Sequence, residues 1–318
     1  MRHTLAVLVL SRLASSLVTL FLVSLVIFAI TALLPGDTAQ QILGQFATPE
    51  QVAALRVQLG LDHPALIRYW HWLSGFVTGD LGQSASNGVP VAQLLAARLP
   101  NSLILAAVTT AISVPLALVM GMVAAMRRGG TTDRVLNLVT LSMVALPEFL
   151  VATLAVLLFA VKLGWLPALS YVANVESFTD FLKIYTMPVL TLCFVLVAQM
   201  ARMTRAALID QLDSAYVEMA RLKGVPPMRR VLRHALPNAV GPIANAVALS
   251  LSYLIGGVII VETIFNYPGI AGLMVDAVSN RDLALVQACA MLFCGAYLLL
   301  VMLADLCAIL SNPRLRNR

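Results

Sequence analysis

Hydrophobic residues run along this chain in long unbroken blocks and do not alternate with polar ones. Six blocks lie near Leu13–Leu34, Leu99–Ala125, Val135–Leu163, Met187–Met203, Ala239–Ile260 and Leu285–Leu310. A helix needs about 20 apolar residues to cross a bilayer, so each block reads as a span, the fourth a short one. A backbone in lipid must satisfy its own hydrogen bonds, as helices or as a closed barrel. Continuous runs of Leu, Val and Ala lack the two-residue period of barrel strands and predict helices. Pro35-Gly36 closes the first block. Pro115 and Pro147 fall inside the second and third, where a missing N–H predicts kinks. Gly256-Gly257 in the fifth offers a close helix contact.

The segment between the first two blocks carries signals of its own. Thr48-Pro49-Glu50-Gln51 places an N-cap Thr, a Pro at the first helical position and a Gln at the capping-box position. Val52, Leu55 and Leu59 follow as an apolar stripe, with Gly60 as the stop. A second helix holds Leu66, Tyr69, Trp70 and Leu73, and Gly79-Asp80-Leu81-Gly82 predicts a turn. The expected domains are 1–34, the N-terminal tail and first span; 35–98, a small helical extracytoplasmic cap; and 99–318, a five-span core with a cytoplasmic loop at 206–238.

Composition agrees with lipid as the solvent. Hydrophobic residues make up 60% of the chain and charged residues 11%, against about 25% charged in soluble domains. The net charge of +6 does not point to nucleic acid, because the basic residues cluster in particular loops with no aromatic interleaving. With six spans, fifteen of the 21 Lys and Arg residues share one side. The positive-inside rule then places both termini in the cytoplasm. The first block has a basic flank like a signal peptide, but its apolar run is too long and no small-residue cleavage site follows, so it is expected to remain as an anchor. The four cysteines lie inside apolar blocks and read as small buried hydrophobes, and the four histidines show no ligand spacing.

No G-x-x-x-x-G-K-[ST], G-x-S-x-G or H-E-x-x-H occurs, so no nucleotide loop, nucleophile elbow or zincin helix is expected. The chain is not read as an enzyme. A coupled secondary carrier would place charges or broken helices at mid-membrane in both halves. Glu148, beside Pro147, is the one deep acid found, and the two are candidates for a solute path. Glu262 is expected near the outer surface as an acceptor that orders a loop.

The 206–238 loop predicts a short surface helix. Ser214 can cap it, Val217, Ala220 and Arg221 share a face, and it runs through Leu222. Gly224 can take the left-handed conformation that ends it, and Pro226-Pro227 prevents continuation. Several blocks around this loop resemble, in order, the membrane subunit of binding-protein-dependent ABC importers of the dipeptide/oligopeptide/nickel group. They are Gly79-Asp80-Leu81-Gly82, Arg98-Leu99-Pro100, Ala201-Arg202-Met203-Thr204-Arg205, Tyr216 to Gly224, Arg233-His234-Ala235-Leu236, Gly256-Gly257, Val261-Glu262-Thr263-Ile264-Phe265, Pro268-Gly269, Asp305 and Asn312-Pro313-Arg314. Met219 breaks the family's Glu-Ala-Ala, Asn312 replaces its terminal Asp, and Glu148 stands where a neutral residue is expected.

The resemblance implies an all-α membrane protein with six spans and the type I importer-permease fold, in the bacterial cytoplasmic (inner) membrane. It implies a paralogous permease, two ATPase subunits and an extracytoplasmic solute-binding protein as partners. No cofactor is expected on this chain; ATP and Mg would sit on the ATPases. Tyr216, Glu218, Ala220, Lys223 and Gly224 would couple to those ATPases. The solute would be a peptide, nickel or another small molecule. A standalone secondary carrier or channel and an inactive scaffold subunit are the competing readings.

Overall fold

The computed structural model describes residues 2–33, 38–44, 47–58, 60–172 and 175–311. Leu34, Pro35-Gly36, Leu59 and Asn312-Pro313-Arg314 lie outside the described residues. Regular structure among those described is helical, apart from one antiparallel bridge between Gln83 and Pro90. The helices are α1 (Arg2–Leu33), α2 (Thr38–Leu43), α3 (Pro49–Gln58), α4 (Ala65–Thr78), α5 (Val91–Met126), α6 (Thr131–Ala145), α7 (Glu148–Ala155), α8 (Phe178–Leu212), α9 (Ala215–Leu222), α10 (Pro227–Arg229), α11 (Leu236–Ile264), α12 (Ile270–Ser279) and α13 (Leu283–Ser311).

Five helical stretches are long and apolar enough to cross a membrane, and a sixth span forms if the bent pair α6–α7 counts as one. The expected third span is therefore not a kinked rod. It breaks by 95°. The cause is local: Pro147 disfavours helical geometry in the preceding residue. Leu146 is extended at φ −83°, ψ 127°, and Pro147 itself at ψ 138°. Glu148 thus opens a new helix, which continues as a π-helical turn over Val156–Lys162. Pro115, by contrast, sits within continuous α5. The fourth span is a 35-residue helix, α8, which extends the expected 17-residue block at both ends with polar and amphipathic turns.

The chain forms two compact units. One comprises Met1–Ala14, Leu103–Tyr267 and Tyr297–Arg318. Here α8 packs against α6, α7 and α11. Its buried residues include Met187, Leu192, Leu196, Val197, Met200, Ala201, Thr204 and Leu208. A capping box at Ser177 and Asp180 starts it. Helices α5 and α8 approach closely because Gly121 has no side chain. A Cβ there would lie 2.7 Å from Thr204 Cβ and 2.8 Å from the Ala201 carbonyl oxygen. Arg12 on α1 pairs with Asp305 on α13 at 3.1 Å.

The other unit comprises Ser15–Ser102 and Pro268–Ala296. Its core joins Val91 and Leu95 of α5, Ile270, Leu273 and Ala277 of α12, and Leu285, Ala288 and Cys289 of α13. The capping box at α3 forms as the sequence predicts: Thr48 N–H donates to Gln51 Oε1 at 3.0 Å and Gln51 N–H to Thr48 Oγ1 at 3.3 Å. Asp282 is fully buried before α13. Its carboxylate accepts from the hydroxyls of Ser84 and Ser86 and from the backbone N–H groups of Ser86 and Leu285. Four donors satisfy a buried acid and tie the 82–90 loop to α13. Of the cysteines, Cys193 and Cys289 are buried as expected, but Cys307 is exposed.

Candidate functional site

The segment between α8 and α11 is held in place from both ends. Asp213 follows α8 and accepts from Arg128 at 2.7 and 2.9 Å. Both side chains are more than half exposed. A second pair lies deeper. Arg205 of α8 grips Asp133 of α6 in bidentate fashion, at 2.7 Å through Nε and 2.8 Å through a terminal nitrogen. Asp133 is 3% exposed and also accepts from Gly129 N–H and Asn137 Nδ2. The turn between α5 and α6 is thereby fastened to α8 near the start of the segment. Arg205 belongs to the Ala201–Arg205 run singled out in the sequence.

Helix α9 then packs against α8 and the π-helical turn over Arg230–Ala235. Val217 and Ala220 are buried, at 2% and 8% exposure. Val217 shares a cleft of about 340 Å³ with Ala125 and Met126 of α5, Leu212, Glu218, Arg221, Pro227, Arg230 and Val231. Arg221 lines this cleft beside Val217 but is itself exposed, so of the three residues expected to share a face only Val217 and Ala220 are buried. Ser214 stands at the N-cap without capping by its side chain. Its hydroxyl donates to the Gln211 carbonyl instead, and its backbone carbonyl accepts from Val217 and Glu218 N–H.

The other end matches its sequence signal closely. Gly224 has φ +78°. Its N–H donates to the Arg221 carbonyl at 3.0 Å, and Val225 N–H donates to the Ala220 carbonyl at 3.1 Å. This pair of bonds is the Schellman arrangement, which requires a left-handed residue and so favours glycine. Pro226 is extended, Pro227 begins α10, and a π-helical turn over Arg230–Ala235 leads into α11. Pro237 supplies no N–H where regular α bonding would resume.

What remains is the outer face of α9. Tyr216, Met219 and Leu222 are 44%, 53% and 73% exposed. Tyr216 donates from its hydroxyl to Gln211 Oε1; Glu218 and Lys223 are also exposed. The sequence reading named Tyr216 but passed over Leu222 and treated Met219 only as a departure. Their three-residue spacing opposite Val217 and Ala220 was the available signal.

Comparison with known proteins fits this arrangement. Residues 114–317 match the family described as "Binding-protein-dependent transport system inner membrane component", and residues 5–106 match "Binding-prot-dependent transport system membrane comp, N-term". The chain belongs to this family. It is 36% identical to "Probable peptide ABC transporter permease protein y4tP" of Sinorhizobium fredii, over 97% of this chain and 98% of that protein. It is also 36% identical to "Glutathione transport system permease protein GsiC" of Escherichia coli K12, over 98% and 99% of the two chains. The type I importer-permease fold, a place in the inner membrane and the role of transmembrane subunit in an ATP-driven importer follow.

The remaining sequence-picked residues of the permease lie apart from α9 in the chain. Glu148 is 7% exposed at the first turn of α7, and its Oε2 has no hydrogen-bond partner among the described residues. Buried hydroxyls of Thr109, Ser113 and Ser250 in the same unit are likewise unpartnered there. Glu262 is 2% exposed in the last turn of α11, and its carbonyl accepts from Tyr267 N–H at 2.8 Å. Tyr267 donates from its hydroxyl to that of Tyr185. Burial, followed by this contact, pushes the Tyr267 hydroxyl well above the usual tyrosine range.

The two ion pairs make a matched test. Removing one partner of a hydrogen-bonded charge pair costs about 1.5–3 kcal/mol, whereas an exposed pair contributes about 0–1 kcal/mol. Arg205→Met is expected to lower the unfolding midpoint of the detergent-solubilised permease clearly, and Arg128→Met hardly at all. Equal midpoints for the two variants would show that the Asp133 clamp does not hold the segment.

Proposed function

We propose that α9 is the coupling helix of this permease and that Met219 and Leu222 seat in a groove of an ATPase subunit. The observation that carries the reading is the two-sided helix: clamped beneath by Val217 and Ala220, and apolar and uncovered above. A helix fixed to the membrane unit on one face can transmit a displacement applied to the other. Glu218 and Lys223 flank the uncovered face and would set its register against polar groups of the ATPase. Gly224 fixes the helix end. In this reading two ATPase subunits hold ATP and Mg, this chain binds no cofactor, and a paralogous permease supplies the other half of the solute path. An extracytoplasmic solute-binding protein delivers the solute.

Relatives named for peptide and glutathione transport favour a peptide as that solute over nickel. Glu148 would then meet a cationic group, such as a peptide's amino terminus, along the path opened at the Pro147 break. An unpartnered carboxylate is costly inside a membrane protein unless it meets a polar or cationic group. The corner before Tyr267 is closed through the backbone carbonyl of Glu262, and the residue is kept as structural in this account.

Three measurements test the reading. A β-branched residue at a left-handed position costs about 1–2 kcal/mol, and apart from Gly224 itself and its chain neighbours nothing lies within 4 Å of a Cβ added there. Strain, not collision, is therefore the expected effect of Gly224→Val. Gly224→Val and Met219→Asp are expected to leave the permease in the membrane while lowering receptor-stimulated ATP hydrolysis and uptake together. Normal stimulation in both would remove α9 from the coupling role.

Glu148→Gln is expected to leave assembly intact and to reduce uptake of a peptide with a free amino terminus more than uptake of its N-acetylated counterpart. An equal loss for both peptides would make Glu148 structural.

Sidedness follows from the charge distribution. In a chain with its native cysteines replaced, Val57→Cys should react with an impermeant thiol reagent added outside the cell, and Thr131→Cys only after permeabilisation. Reaction of Thr131→Cys in intact cells would reverse the orientation.

A further inference from the structure

The cleft beside α9 holds a cation that the rest of the unit leaves unused. Apolar residues such as Met126, Val217 and Val231 line it together with Asp213, Glu218, Arg221 and Arg230. Asp213 is already committed, since it accepts both bonds from Arg128. Among the described residues no salt bridge joins Glu218 to Arg221 or Arg230. Arg230 is half-buried, and its Nε is enclosed with no hydrogen-bond partner among the described residues. A guanidinium withdrawn from water and left without an acid favours an incoming anion.

Local geometry puts Arg230 there. Pro226 is extended, Pro227 opens α10, and the Arg230 N–H donates to the Pro226 carbonyl at 3.0 Å as the π-helical turn begins. Next to it Val231 is buried and lines the same cleft. Arg229 and Arg233 are exposed and lie outside the lining. The cleft also has a defined place beside α9. At about 100° per residue, Val217, Arg221, Glu218 and Leu222 follow one another around the helix over roughly 140°. The first three line the cleft, and the fourth belongs to the uncovered apolar face. Cleft and face therefore adjoin along Glu218, and a protein seated on Met219 and Leu222 reaches the cleft's edge.

We propose that this cleft receives an acidic side chain, Asp or Glu, from the ATPase subunit that covers α9, and that its carboxylate pairs with the guanidinium of Arg230. Exposed Arg221 supplies a second cation on the same flank. The fork of an Arg suits a carboxylate, and apolar lining strengthens such a pair by keeping water from it. Charge selects the acid, and the shared border with Met219 and Leu222 selects the ATPase as its source. Apolar seating on one face and an ion pair on the adjoining flank fix the rotation of α9 as well as its position. The inference rests on α9 meeting the ATPase, and a probe at Met219 keeps the two readings separable.

The test uses the assembled transporter and a water-soluble carbodiimide, which condenses an amine with a carboxylate it touches. Arg230→Lys supplies the amine inside the cleft. Arg221→Lys supplies one on the exposed flank, where the substitution leaves the π-helical turn untouched. Each is expected to give a new amide to an Asp or Glu of an ATPase subunit, identified by mass spectrometry after proteolysis. Arg233→Lys, outside the cleft, is expected to give none. Amides only to Glu218 or Asp213 of this chain would show that the cleft neutralises itself and would overturn the proposal. Equal yields at all three positions would reveal a generally acidic ATPase surface and overturn it too. A photoreactive residue at Met219 separates the remaining outcomes. ATPase adducts at Met219 with no amide at position 230 or 221 would overturn the cleft proposal and leave α9 in its coupling role. Absence of ATPase adducts at all three sites would overturn both.

Discussion

The burial of Val217 and Ala220 beneath α9 is the contact on which the functional end of this permease depends. Fully burying a side chain the size of Val is worth about 1.5–3 kcal/mol, a modest sum for a helix of eight residues. Short helices are marginal by themselves, so α9 exists because its ends are also fixed. The Schellman bonds at Gly224 close one end, and Asp213 with Ser214 closes the other. Further back, the Arg205–Asp133 clamp binds the 127–133 turn to α8. The result is a surface element that cannot slide without disturbing the membrane unit, which is the mechanical condition for passing motion through it.

Proline placement shapes the rest. Pro147 splits the third span by a right-angled turn and makes Glu148 the first residue of a new helix, not a side chain midway along a rod. Pro226, Pro227 and Pro237 bracket the turn that returns the chain to the membrane through a π-helical stretch. In lipid a lost N–H bond must be compensated nearby, and π turns at both breaks are one such compensation. Small residues do the complementary work of letting helices approach, as Gly121 does against Ala201 and Thr204.

Much of this was legible in the sequence because its signals are local. The spans follow from block length, the α3 start from Thr48 and Gln51, and the α9 stop from Gly224. The outcome was harder to read where a local signal admits two results. Pro115 and Pro147 look alike in an apolar run, yet one stays in helix and the other breaks it, and only packing around them decides. Ser214 offered a cap that Gln211 diverted. The carboxylate of Asp282 finds its serines at Ser84 and Ser86, nearly two hundred positions away, which no pattern reveals. Leu222 was overlooked because an exposed leucine in a polar loop carries meaning only once the buried face opposite it is known.

The central claim is that the uncovered face of α9 meets an ATPase. A photoreactive amino acid at Met219 tests it most directly in the intact transporter. The account predicts an adduct joining this chain to an ATPase subunit on irradiation, with no such adduct from the same probe at Val57. Failure to cross-link at Met219, or adducts only to other membrane chains, would contradict it.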